Sequence, residues 1–173
     1  APEPRPSGST GVPQVLFPWT AVGWRSEAAP AAIAVAARLL QARLSAASLR
    51  AAHAELWWNG ERRALVLLGT PAAAPTDAAT QGTSVVLALT LANAVASLTG
   101  EEVRAARSAV AREILFSARM PEGLARYLGQ MAEHAGELGA GPAFLRALDR
   151  VDAPAVRAVL ESVRKPRAAE VAR

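Results

Sequence analysis

The chain has 173 residues, of which 51% are hydrophobic and 20% charged, and this is the composition of a globular domain rather than of a disordered segment. It contains no cysteine, which excludes disulfide bridges and thiolate metal sites. Nineteen Lys and Arg residues against fifteen Asp and Glu leave a net charge of only +4. Because basic and acidic residues alternate along the predicted helices, we expect no nucleic-acid partner.

The first half of the chain predicts a tail, a strand and a helix. Residues 1–11 are rich in proline and glycine, which indicates a flexible tail or an interdomain linker ahead of a single domain over 12–173. Residues Val12–Trp24 alternate weakly and predict one strand, whose prolines favour an edge position or a bulge. Apolar residues at helical spacing then predict a helix that Glu27-Ala28-Ala29-Pro30 opens and that runs to about Leu44.

A β-hairpin is the clearest local prediction. His53–Trp58 and Glu61–Thr70 are strand-like, and Asn59-Gly60 between them is a typical two-residue turn. This turn places Trp58 opposite Glu61. The second strand is apolar over Ala64–Leu68, which predicts an inner position in the sheet.

The second half is predicted to be helical, with one short strand after it. Thr99 and Glu102 fit a capping box, and Asp152 followed by Pro154 marks another helix start. The most apolar run, Ser84–Ser97, is too short for a membrane span and is expected to be a buried helix. The predicted helices are Ala79–Leu98, Glu101–Ala118, Pro121–Leu138, Pro142–Arg150 and Ala153–Val163, and the predicted strand lies within Arg167–Arg173. This order predicts an α+β fold in which helices pack on one side of a mostly antiparallel sheet.

Two stretches carry a resemblance to a known family. NAVASLTGEEVRAARSAVAREILFSARMPEGLARYLGQ resembles the two long helices of the pitrilysin-type zinc peptidases, the family of insulin-degrading enzyme and the mitochondrial processing peptidase. FLRALDRVDAPAVRAVLESV resembles the segment before the last strand of the same fold. The match covers about residues 14–172 and is closest to the later, non-catalytic repeat, so it implies a half-repeat of such a peptidase.

The resemblance implies where a site would lie. In the family the first repeat holds zinc on an inverted His-x-x-Glu-His helix, and the second offers an arginine and a tyrosine to the substrate backbone. This chain lacks the zinc helix: its two histidines, His53 and His134, are far apart, and His134 is expected to be a solvated side chain. Arg50 matches the substrate arginine, but the stretch that carries the tyrosine is missing. Tyr127 is expected to pack in the core.

Trp57 and Trp58 in the hairpin, with Trp19 and Trp24 in the first strand, form an unusual concentration of tryptophan. One interpretation is a strand face that docks a partner domain, because tryptophan is enriched at interface hot spots. The other is ordinary packing, since adjacent strand residues point to opposite faces of a sheet. The sequence leaves both open, and it offers Arg50, Trp57 and Trp58 as candidate substrate or partner contacts and no catalytic or metal-binding residue.

The resemblance implies a non-catalytic domain or subunit of a bacterial zinc peptidase. Such a chain forms the wall of a proteolytic chamber and pairs, as a heterodimer or within one longer chain, with the repeat that carries the zinc. It holds no cofactor itself, and an extended peptide substrate contacts it along a sheet edge. A periplasmic or secreted location is favoured over a cytoplasmic one. The alternatives are a free-standing protein-binding adaptor of the same fold and an enzyme with unrecognised chemistry.

Overall fold

The sheet is built from two antiparallel hairpins that lie side by side. The computed structural model describes residues 14–16, 19–25, 28–45, 51–59, 62–70, 77–137 and 139–164. The strands are β1 (Gln14–Leu16), β2 (Trp19–Arg25), β3 (Ala51–Asn59) and β4 (Arg62–Thr70). Since β2 pairs with β4 as well as with β1, the strand order is β1-β2-β4-β3, and all three pairings are antiparallel.

The helices follow in the order that the capping signals indicate. Thr99 accepts a hydrogen bond from the amide of Glu102, whose carboxylate accepts one from the amide of Thr99, so the capping box is complete. Asp152 accepts from the amide of Ala155 at 2.9 Å. The helices are α1 (Pro30–Leu44), α2 (Asp77–Ala96), α3 (Gly100–Ser117), α4 (Pro121–Ala135), α5 (Ala140–Asp149) and α6 (Ala153–Arg164).

The helix α1 lies at the centre of the core. It contacts β3 and β4 on the sheet side and α2, α3, α5 and α6 on the other. Ile33, Val35 and Leu40 are fully buried, as are Leu65 and Leu67 of β4. Val66 and Leu68, which alternate with these two leucines, are only half-buried. Helices therefore cover one face of β3 and β4, and the α+β architecture predicted from the sequence is confirmed.

The prediction of a single strand over Val12–Trp24 is wrong. Leu16 of β1 pairs with Trp19 of β2, so the chain reverses direction between them. Two residues, Phe17 and Pro18, separate the two strands in the sequence. Proline lacks the N–H group that a continuous strand uses in its ladder, which explains why the run is divided here.

The predicted register of the second hairpin is also wrong. Trp58 pairs with Arg63 rather than with Glu61, because the ladder extends to Asn59 paired with Arg62. The predicted register would have set Leu56 opposite the charged Arg63. In the observed one Leu56 lies opposite the buried Leu65, which matches apolar side chains on the helix-covered face. As predicted, β4 is an inner strand.

Three further expectations concern the helices and the chain termini. The expectation that Ser84–Ser97 forms a buried helix holds for one face only, because Leu87 and Leu91 are buried whereas Val85 and Leu89 are more than half exposed. Among the described residues no single helix passes as a membrane span by length and apolarity, although α2 and α3, bent by 118° at the break between them, do so as a pair. The predicted tail over 1–11 and the predicted strand within Arg167–Arg173 lie outside the described residues.

Candidate functional site

Trp57 and Trp58 occupy opposite faces of β3. Trp58 lies on the helix-covered face and packs against the core. Its indole stacks on the imidazole of His134 from α4, with ring centroids 6.1 Å apart, and on the ring of Phe144 from α5 at 6.3 Å. Trp58 therefore joins the end of the hairpin to two helices, and its visible role is packing.

The helix-free face of the sheet carries Trp57. We define this face by the side chains that point away from the helices on β3 and β4: His53, Glu55, Trp57, Ala64, Val66 and Leu68. Trp57, Ala64, Val66 and Leu68 are half-buried, and His53 approaches the carboxylate of Glu55 at 3.4 Å. The face thus has four apolar side chains, each partly buried, and one exposed polar pair, His53 and Glu55.

The two histidines do not meet. His134 is half-buried against Trp58, so the expectation of a solvated side chain is wrong: the hairpin brings an indole over it that no local spacing indicates. His53 lies on the helix-free face, and the sheet separates the two imidazoles. Among the described residues no three His, Asp or Glu side chains lie close enough to hold a metal ion, so these residues do not fit a zinc site.

One polar side chain lies along the edge of β3 that pairs with no other described strand. The side-chain amide of Gln41 in α1 donates to the carbonyl of Ala52 at 3.0 Å, and its oxygen accepts from the amide N–H of Ala54 at 2.7 Å. A neighbouring strand would use the same donor and acceptor. Gln41 therefore takes the place of a short neighbouring strand along β3, which is one of the two outermost described strands of the sheet.

The polar contacts around α3 hold helices together. Arg43 of α1 donates to the carboxylate of Glu102 at 2.7 Å, which links α1 to the first turn of α3. Burial raises the pKa of the Glu102 carboxyl, but its hydrogen bonds with Thr99 and its contact with Arg43 outweigh that effect, and the pKa lies below its ordinary value. Arg107 donates to the carbonyl of Asp149 at 2.8 Å. These contacts stabilise the helical layer.

Tyr127 packs in the core, as expected. Its side chain is 9% exposed and its hydroxyl donates to the carbonyl of Gly141 at 3.1 Å, so it ties α4 to α5. Burial raises the pKa of its phenol above 10.0.

Arg50, the candidate that matched the substrate arginine, lies outside the described residues. Sequence reasoning missed Gln41, although a glutamine within an alanine- and leucine-rich helix is a usable signal. It also missed that Arg112 of α3 and Arg119, which follows α3, line one groove with Arg38 of α1.

Comparison with known proteins identifies the fold of the chain. No family model and no curated protein matches the chain. Among solved structures, it is similar to the periplasmic protease PqqL from Escherichia coli, with a TM-score of 0.57 and 16% identity over 89% of this chain. It is also similar to a mutant of the ferredoxin protease FusC in complex with Arabidopsis ferredoxin, with a TM-score of 0.56 and 14% identity over 92% of this chain. The chain has a pitrilysin-type protease fold.

The similarity covers only part of those proteases. The chain spans 19% of the length of PqqL and 19% of the length of FusC. At such identities the likeness concerns the fold and carries over no site residue. It agrees with the family resemblance that the helix starts indicate.

Proposed function

We propose that the chain is a non-catalytic domain or subunit of a pitrilysin-type zinc peptidase. It forms part of the wall of the proteolytic chamber and pairs with a repeat that carries the zinc. The partner repeat supplies the metal-activated water that hydrolyses peptide bonds, and this chain contributes part of the surface that encloses the substrate. The observation that carries the proposal is the fold, which matches about a fifth of the length of each of two proteases. The helix-free face of its sheet is the surface that we assign to the pairing.

The partial coverage supports a role inside a larger assembly. A segment of 173 residues is large enough for one domain, and the two proteases are about five times as long as the part that matches. The described histidine side chains lie on opposite sides of the sheet, so they supply no pair of ligands to one ion. We therefore place the zinc on a neighbouring repeat.

The helix-free face supports the role of chamber wall. Helices bury Leu65 and Leu67 completely, whereas Val66 and Leu68 of the same strand, with Trp57 beside them, are only half-buried. An apolar sheet face of this kind is stabilised when another domain or a peptide covers it. Trp57 is the largest side chain on it and is suited to be an anchor.

An extended peptide substrate contacts the chain along a sheet edge. At β3, Gln41 already donates to Ala52 and accepts from Ala54, so a peptide strand there pairs beyond Ala54 or displaces the Gln41 side chain. We also propose a periplasmic location, since PqqL is a periplasmic protease.

Co-expression with the zinc-bearing repeat of the same organism tests the pairing. We expect a 1:1 complex in size-exclusion chromatography with light scattering. Trp57→Glu should weaken it about tenfold or more, because it places a charge within the apolar face. The matched control, Val85→Glu, changes an exposed apolar residue of α2 on the helical side and should have no effect.

Two results would contradict the proposal. One is a chain that stays monomeric beside the zinc-bearing repeat and binds an unrelated protein, which is the behaviour of a free-standing adaptor. The other is equal weakening by Trp57→Glu and Val85→Glu, which would remove the helix-free face from the interface.

A further inference from the structure

The corner between α3 and α4 leaves large apolar side chains in solvent. Leu115 and Phe116 in the last turn of α3 are 60% and 71% exposed, and Met120, just before α4, is 64% exposed. These three lie within six residues of the chain. Single exposed apolar residues are ordinary on a protein surface, but a cluster of this size on one corner is typical of an interaction site.

Arginines surround this cluster. A groove beside it is lined by Arg38 from α1, by Arg112, Leu115 and Phe116 from α3, and by Arg119 after α3. The guanidinium of Arg119 lies 5.1 Å from the centre of the Phe116 ring, a cation–π distance. We use the name arginine corner for the following residues: Arg38, Arg112, Leu115, Phe116, Arg119 and Met120.

The charges of the arginine corner are not compensated locally. Among the described residues, Arg38, Arg112 and Arg119 form no ion pair with a carboxylate. Arg112 donates only to the carbonyl of Ser108 in its own helix. Glu113 is the one acidic residue that lines the groove, so three positive charges and one negative leave an excess of two positive charges.

We infer that the arginine corner docks a partner protein segment that presents carboxylates beside apolar side chains. Uncompensated guanidinium groups favour carboxylates, which they bind in a bidentate manner, and Phe116, Leu115 and Met120 favour apolar side chains from the same segment. Protein interfaces are enriched in phenylalanine, methionine and arginine, among other residues. The corner is separate from the helix-free face, so this inference does not depend on the proposed function.

A nucleic acid or an anionic membrane is a poorer match for the same surface. A nucleic acid would be held mainly by positive charge, and the chain carries a net charge of only +4 with a single lysine. An anionic membrane would take up the apolar side chains, but an excess of only two positive charges at the groove attracts it weakly. Both are included as competitors in the test.

A pair of synthetic peptides tests the inference with the full chain. The first is a fluorescein-labelled peptide with leucine at helical spacing and glutamate elsewhere, and the second has lysine in place of every glutamate. Fluorescence anisotropy should show binding of the acidic peptide about tenfold tighter than of the lysine peptide, with affinity falling as salt rises. Phe116→Ala should weaken binding of the acidic peptide about tenfold, and Arg112→Ala several-fold.

Matched variants separate docking at this corner from general attraction. Arg126→Ala removes an exposed arginine of α4 that does not line the groove, and Val85→Ala shortens an exposed apolar residue of α2; both should leave affinity unchanged. All substituted side chains are exposed, and circular dichroism verifies that each variant is folded. The inference is overturned by equal affinity for the two peptides, by no binding of either, or by equal effects of Arg112→Ala and Arg126→Ala. Tighter binding of single-stranded RNA or of anionic vesicles overturns it as well.

Discussion

Gln41 allows a quantitative test of how the edge of the sheet is protected. Its side chain makes two hydrogen bonds to the backbone of β3, at 3.0 Å to Ala52 and at 2.7 Å from Ala54, and both are partly buried. Gln41→Met keeps the volume of the side chain and removes both. At about 0.5–1.5 kcal/mol for each bond, the loss is about 1–3 kcal/mol of unfolding free energy, or a factor of about 5–150 in the unfolding constant.

Urea unfolding followed by tryptophan fluorescence measures the free energy, and hydrogen exchange measures the edge itself. The amide of Ala54 should exchange faster in Gln41→Met, because its acceptor is gone. Gln130→Met, at an exposed position of α4, is the control and should stay within about 0.5 kcal/mol of the parent chain. If both variants unfold at the same urea concentration and the exchange of Ala54 is unchanged, Gln41 does not protect the edge.

Three further predictions follow from single contacts. A Cβ on Gly123 would lie 1.7 Å from the carbonyl oxygen of Ser117, so Gly123→Ala should lower the melting temperature, whereas Gly129→Ala, with open space around it, should leave it unchanged or raise it. Because the pKa of Glu102 is lowered in the folded chain, its contribution to stability is present above pH of about 4.3 and is lost below it; Glu102→Gln should show a smaller loss of unfolding free energy between pH 7 and pH 3. The absorbance of Tyr127, the single tyrosine, should titrate above pH 10.0 in the folded chain and at lower pH in urea.

The sequence predicted best what depends on local chemistry. Thr99 with Glu102 and Asp152 with Ala155 are caps whose partners lie three residues apart, and both form as expected. The order of helices after the second hairpin follows from such signals. That order is also what carried the resemblance to the peptidase fold.

Two predictions were wrong because they depend on packing partners outside the local sequence, namely the register of the second hairpin and the surroundings of His134. The register of the second hairpin follows from pairing Leu56 with Leu65 under α1, not from its turn residues. The position of His134 depends on Trp58, which is 76 residues away along the chain. Gln41 reaches the backbone of β3, and Arg38 lines a groove with residues of α3, because α1 packs against both elements.

The central claim is that a partner repeat carries the zinc and hydrolyses the peptide bond, and that this chain forms a non-catalytic part of the chamber wall. It is tested most directly by the zinc content and peptide-cleaving activity of the purified chain, alone and mixed with the zinc-bearing repeat. We expect the chain alone to keep no zinc after dialysis and to cleave no peptide of a broad library, and the mixture to cleave faster than the zinc-bearing repeat alone. A chain that by itself keeps one zinc ion per molecule and cleaves peptides would contradict the claim.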